Sequence, residues 1–357
     1  MLKTTGRLIA SALLALLCGG LLLIARTYPA WFYAWYPALS QSIMARVGAV
    51  TSVLPVSLAE LVILGLVLWL ILSFIRMLRG ESSIPRWLSG VLLGVMIGVT
   101  WFVAVWGLNY FSPHSLADRL DLEITGYTSD QLYDAAAYYL DQANDLALEV
   151  SRDEEGIAAL GTFRQLADWS GEGYGVLAQD HPCFRASRST PKRVLLSRLL
   201  SYSGITGIFI CFTGEANVNA ETPQAALPFT MAHERGHAQA ICPEEECNFA
   251  AYLACMANPH VECRYSGAYS AFIYCYNALY KQSSARAAEL WYQMNDQLRA
   301  DILFANAHYE QYEGKVQETA EKVNDTYLKT FQQTAGVQSY GLVADLLIAW
   351  YLQGAAG

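Results

Sequence analysis

Charge is scarce in this 357-residue chain: 15% of residues are Asp, Glu, Lys or Arg, against 54% hydrophobic, a balance that excludes an ordinary soluble globular protein. The deficit sits in the first third. Leu8 to Ala25 and Leu88 to Tyr110 carry no charge, and Val56 to Ile75 carries only Glu60. At about 1.5 Å rise per residue each run can cross a hydrocarbon core roughly 30 Å thick, so the sequence predicts three transmembrane helices, near residues 8–25, 56–75 and 88–110. No small-x-small cleavage site follows the first run, which is read as an uncleaved anchor rather than a signal peptide. Glu60 lies near the end of its span and is read as snorkelling or meeting a neighbouring helix, not as marking an ion path.

A basic excess is also missing. Residues 1–110 hold seven Lys and Arg against two Asp and Glu, whereas the remainder holds sixteen against thirty. An acidic region from 111 to 357 repels phosphate backbones, which argues against nucleic acid as a partner. The eight cysteines form no Cys-x-x-Cys pair and no repeated spacing, and the seven that follow residue 110 cannot all pair with one another. Cys242 and Cys247 leave open a disulfide or a sulfur ligand near the motif described below. Internal repeats and low-complexity runs are absent.

The basic residues that are present orient the chain. Lys3, Arg7, Arg76, Arg79 and Arg86 flank the predicted spans on one side, which the positive-inside bias makes cytoplasmic. Three crossings then put residues 111–357 outside the cytoplasmic membrane, as one extracytoplasmic domain behind a membrane region of residues 1–110. Trp31, Phe32, Tyr33, Trp35 and Tyr36 fit an aromatic belt at the lipid interface.

The outer region reads as mainly helical. Thr128 and Gln131 form a capping-box pattern, and Leu132, Ala136, Tyr139, Leu140, Ala143, Ala147 and Val150 recur at helical spacing. Similar periodicity covers parts of 155–168, 191–201, 265–281, 286–304 and 315–332, with Gly171, Gly173, Gly175 and Pro182 marking a loop. Gly207 to Gly214, rich in β-branched and aromatic residues, predicts a strand. It serves either as a core strand or as an edge that holds an extended peptide.

One motif carries chemistry: His233-Glu234-Arg235-Gly236-His237. On a helix the two histidines project from one face about a turn apart, so both imidazoles can bind one zinc while Glu234 reaches its water as general base. A catalytic zinc needs a third protein ligand. Pro243 ends the helix, and Glu246 is chosen from Glu244, Glu245 and Glu246 because it shares a helical face with Phe249, Ala250 and Leu253. Arg235 and the weak helix former Gly236 count against the motif. His114, His181, His260 and His308 lack ligand spacing. Tyr340, at a Gly-bracketed turn, is the candidate oxyanion donor, and Asp345 in the apolar helix Leu342 to Leu352 is the candidate acceptor behind a zinc-bound histidine. Either residue also reads as ordinary packing or surface.

Phe212-Thr213-Gly214-Glu215-Ala216, Pro228-Phe229, His233 to His237, Glu246 to Leu253, Val323 to Lys329 and Gly336 to Gly341 together resemble the bacterial domain of unknown function 3810 family over nearly the whole chain. The resemblance implies a gluzincin-like site with His233, His237 and Glu246 as ligands and Glu234 as base. Cys247 departs from the small residue expected after the ligand Glu. The resulting expectation is an α+β, zincin-like fold, mainly helical with a small sheet. Its function would be a zinc metallopeptidase anchored in the lipid bilayer, acting on an unidentified peptide or protein. The alternative is a non-catalytic binding or sensor protein that keeps the fold.

Overall fold

The computed structural model describes residues 2–186, 189–330 and 340–355. The N-terminal part consists of α1 (Leu2–Thr27), α2 (Pro29–Tyr33), α3 (Tyr36–Thr51), α4 (Leu58–Leu78) and α5 (Ile84–Val105). Of these, α1, α4 and α5 are long and apolar enough to cross a membrane. Ser57 starts α4 by accepting from the Glu60 N–H at 3.1 Å, and Pro85 sits in the first turn of α5, where a missing N–H costs nothing. The last helix ends earlier than the charge-free run: Trp106 leaves helical geometry and Gly107–Phe111 forms a 3-10 turn.

Arg7 Nη1 donates to Arg86 O at 2.9 Å and Trp87 Nε1 to Ser73 Oγ at 3.0 Å, which gathers the start of α1, the end of α4 and the start of α5. Lys3, Arg7, Arg76, Arg79 and Arg86 therefore share one end, and Arg26 lies in the last turn of α1 at the other. The opposite ends meet the rest of the chain.

That remainder is α6 (Leu116–Arg119), α7 (Ser129–Glu149), α8 (Phe163–Trp169), α9 (Glu172–Asp180), β1 (Lys192–Arg193), α10 (Ser197–Tyr202), β2 (Gly207–Ile210), β3 (Glu215–Val218), α11 (Leu227–Ala238), α12 (Glu244–Met256), α13 (Val261–Gln282), α14 (Ser284–Gln293), α15 (Asp296–Glu310), α16 (Lys315–Thr330) and α17 (Tyr340–Trp350). The chain is thus mostly helical. Thr128 and Gln131 form the expected reciprocal cap on α7. Its buried face, including Ala135, Ala136, Tyr139, Ala143 and Ala147, lies against α13, whose Gly267 turns to α12, where a Cβ would stand 2.5 Å from Cys255 Cβ. Tyr139, Phe249, Tyr265 and Phe272 fill the core between α7, α12, α13 and α17, each contributing on the order of 1.5–3 kcal/mol of burial.

Three local expectations change. The strand read over 207–214 is β2 alone, because the chain turns at Cys211–Gly214, with Gly214 at φ 62, and returns as β3. Only residues from Phe163 onward of the 155–168 segment are helical, and the 191–201 segment opens with β1 before α10. The glycine-marked loop is largely α9, whose Gly173 has no room for a Cβ because the Ala254 backbone of α12 lies against it. Close helix packing, not turning, uses that glycine.

The sheet has the order β1-β3-β2, with β2 antiparallel to β3 (Gly207 opposite Val218) and β1 parallel to it (Lys192 opposite Asn217). Two carboxylates tie it to α4. Glu215 of β3 accepts from Leu58 N at 3.1 Å and Ala59 N at 2.8 Å, satisfying the free N–H groups at the helix start. Lys192 Nζ, also buried, donates to Glu215 Oε1 at 2.5 Å and to Thr51 O at 2.6 Å. Glu60 in turn accepts from Leu195 N at 2.8 Å and Leu196 N at 3.1 Å. The lone acid of the second span therefore holds backbone from the segment after β1.

Candidate metal centre

The centre forms where α12 folds back on α11. Pro228 sits in the first turn of α11, and the helix is buried along nearly its whole length. It stops at Gln239, after which Ala240 adopts φ 60, a left-handed conformation that turns the chain, and Pro243 precedes α12. The two residues that weaken the motif as a helix have structural uses. Gly236 lies at the helix crossing, where a Cβ would stand 3.1 Å from Tyr174 Oη and 3.2 Å from Cys247 Sγ. Arg235 is buried and reaches sideways, its Nε donating to Ser170 Oγ at 3.0 Å and its Nη2 to Ala167 O at 3.3 Å. Its charge is spent on the end of α8, away from the histidines.

His233 Nε2 and His237 Nε2 converge on one carboxylate, that of Glu244, at 3.2 Å and 3.6 Å. The three ligand atoms lie within 4.8 Å of one another, and this is the sole group of its kind among the described residues. Each imidazole is held from behind. His233 Nδ1–H donates to Asn248 Oδ1 at 2.8 Å, and His237 Nδ1 faces Ile241 O at 3.0 Å, so both Nε2 atoms point into the cluster. Cys247 Sγ lies 3.1 Å from His237 Nδ1 and also donates to Ile241 O at 3.1 Å. Burial pushes this thiol up to about 12, so it is a neutral donor behind the ring. All eight cysteines are free, which answers the disulfide question at Cys242 and Cys247.

Electrostatics separates the two acids. Burial alone would raise the Glu244 carboxyl, but the surrounding imidazoles hold it well below the usual range. Glu234, on α11 itself, is 3% exposed, and burial pushes its carboxyl up to about 7. Its Oε2 has no hydrogen-bond partner among the described residues. Gly207 of β2 packs directly on it, with Glu234 Cδ 2.8 Å from where a Cβ would stand. Two imidazole nitrogens and a carboxylate form a donor set suited to zinc, and an orphaned buried carboxylate oxygen on the same helix suits a group that takes a proton from water. The residues present fit the ion.

A family described as Protein of unknown function (DUF3810) matches residues 33–348, which include every residue of this cluster. The chain belongs to this family. No curated protein and no solved structure matches it.

The DUF3810 chain departs from the sequence reading at the third ligand. Glu246 does not face the histidines; it lies 3.8 Å from Arg119 Nη2 of α6, with its carboxyl pushed up to about 7 by burial. Its shared face with Phe249, Ala250 and Leu253 is real but turns elsewhere in the fold. Glu244, Cys247 and Asn248, spaced i, i+3, i+4, make up the face that meets α11, and polar residues at that spacing in a buried helix are the signal that marks Glu244. Asp345 is corrected too: it accepts from Tyr127 Oη at 2.8 Å and stands behind no imidazole. Asn248 takes the place foreseen for it. Tyr340 opens α17, but its side chain lies outside the described residues. His260 stacks on Trp169 at 4.2 Å and faces Glu172, away from the cluster.

Proposed function

We propose that this DUF3810 chain is a membrane-anchored, gluzincin-like zinc metallopeptidase, with its catalytic part outside the cytoplasmic membrane. The observation that carries the reading is the convergence of His233 Nε2, His237 Nε2 and Glu244 beside the unpartnered Glu234 Oε2. His233, His237 and Glu244 would hold the ion. When bound there, zinc supplies Lewis acidity, polarising a carbonyl and making water acidic near neutral pH.

The chain's own residues supply the rest. Glu234 takes the proton of the attacking water and delivers it to the leaving amine, a task for which a buried carboxyl near neutrality is suited. Asn248 and the Ile241 carbonyl fix the ring orientations. β2 occupies the edge of the sheet with its Gly207 against Glu234, so its main chain is positioned to pair with an extended peptide irrespective of side chains. Five basic residues, Lys3, Arg7, Arg76, Arg79 and Arg86, at one end of the spans against Arg26 at the other support the orientation through the positive-inside bias.

The test is Glu234→Gln in the purified full chain, assayed against a peptide library alongside metal content. The expected result is full metal with hydrolysis reduced by about 10²–10⁴-fold. Unchanged hydrolysis in the variant removes Glu234 as the base, and none in the parent over the whole library favours a binding or sensor protein instead.

A further inference from the structure

The metal helix touches a membrane span. Trp106, the residue that caps α5, donates its indole N–H to His237 O at 3.1 Å, with the two rings 6.1 Å apart. The β2–β3 turn descends further along the same span: Trp101 Nε1 donates to Cys211 O at 3.4 Å, and the Phe212 ring lies over Gly98. Gly98 is seven residues before Val105, so Phe212 stands roughly 10 Å inside the end of α5 at 1.5 Å per residue. The sheet is also fastened to the first turn of α4 through Glu215, and Glu60 of that turn holds Leu195 and Leu196 just after β1.

That fastening fixes where an exposed apolar surface lies. Leu195 and Leu196, whose N–H groups bind Glu60, are 64% and 47% exposed, and Leu199 on α10 is 60% exposed. Val53, in the turn just before α4, is 83% exposed, and half of Phe212 is uncovered. Arg193 and Arg198, both exposed, flank the leucines. Apolar side chains bracketed by arginines, level with the first turn of a span, have the composition of an interfacial lipid-binding element, with guanidinium groups reaching headgroup phosphates.

We propose that this face, Leu195, Leu196, Leu199, Val53 and Phe212, is immersed in the headgroup–acyl boundary of the bilayer that holds the spans. The metal centre then opens at the membrane surface, and its substrates are polypeptide segments lying just outside a membrane span. The substrate clause rests on the peptidase reading; the immersion does not. The occupant is lipid because Leu195 and Leu196 hang from Glu60 in the first turn of α4 and Phe212 lies against α5, two helices long and apolar enough to cross a membrane.

Depth-dependent quenching tests the immersion without requiring turnover. Full-length Leu199→Cys and Tyr292→Cys chains carry a fluorescent maleimide in vesicles of phosphatidylethanolamine and phosphatidylglycerol containing a lipid doxyl-labelled near the headgroup. Seven of the eight native cysteines are buried, and the unsubstituted chain gives the labelling background. Tyr292 is 81% exposed on α14, which packs on α13 and α7. Quenching at Leu199 at least about threefold stronger than at Tyr292 supports the immersion, and equal quenching overturns it.

For the substrate clause, one cleavable peptide is offered free and fused to a transmembrane helix in the same vesicles. The fused form should be cut at least about tenfold faster at equal bulk concentration. Leu195→Asp with Leu199→Asp should remove that advantage while leaving free-peptide hydrolysis unchanged. Equal rates in the parent overturn the clause. Hydrolysis of neither form defeats the peptidase reading and the clause with it, and the quenching result still decides the immersion.

Discussion

His233 Nδ1 and Asn248 Oδ1 stand 2.8 Å apart across the contact between α11 and α12, and this bond leaves His233 Nε2 facing Glu244. Asn248→Ala removes the acceptor, frees the ring to rotate or change tautomer, and is expected to weaken zinc binding by about 10–100-fold. Competition with a chromophoric chelator measures it. An unchanged affinity would show that the bond does not position the ring.

Glu244 and Glu246 are two residues apart and make opposite predictions. Glu244→Gln removes a charged ligand from the cluster and should abolish stoichiometric zinc, whereas Glu246→Gln, which faces Arg119, should retain it. Metal analysis after dialysis against a weak chelator separates the two. Zinc lost from the Glu246 variant and kept in the Glu244 variant would reverse the assignment.

These two glutamates also show where sequence reasoning ran out. The pair His233 and His237 was legible because helical spacing is local, as were the three apolar helices and the Thr128 cap, each set by a few neighbouring residues. The third member of the candidate metal cluster, Glu244, was not, since it depends on which face of α12 meets α11 across the Ala240 turn. An apolar face is drawn to the core, and for Glu246 the nearest core is not the metal helix. The same limit applies to Asp345, whose partner Tyr127 lies 218 positions away. Gly173 and Gly236 read as loop former and helix breaker, yet both serve contacts between helices distant in sequence.

Stability of the metal-free chain should depend on pH through Glu234. Its carboxyl titrates at about 7 in the folded chain against an ordinary 4.5, so the native state binds more protons than the unfolded state between those values. Stability attached to the protonated form is full below the unfolded value and is lost as pH rises through 7. Glu234→Gln removes the penalty of ionising a buried group. In chelated protein it should stabilise by up to ~3 kcal/mol at pH values above 7 and by little in acid, read from thermal unfolding in detergent. A variant whose stabilisation did not grow with pH would contradict the burial of an unpartnered carboxylate.

Glu215 joins the sheet to the start of α4 and neutralises buried Lys192. Glu215→Gln leaves that ammonium without its counter-charge and should cost about 3–5 kcal/mol, whereas Glu215→Gln combined with Lys192→Met should recover most of the loss. Thermal unfolding of the single and double variants decides. A double variant as unstable as the single one would show that the pair's charges are not what matters there.

The most direct measurement is X-ray absorption at the zinc edge on the purified full chain, with zinc stoichiometry from the same sample. The account predicts one zinc per chain, with two imidazole nitrogens and carboxylate oxygen at about 2.0–2.2 Å, lost in His233→Ala and in Glu244→Gln. A chain that binds no zinc, or zinc that survives both substitutions, would contradict it.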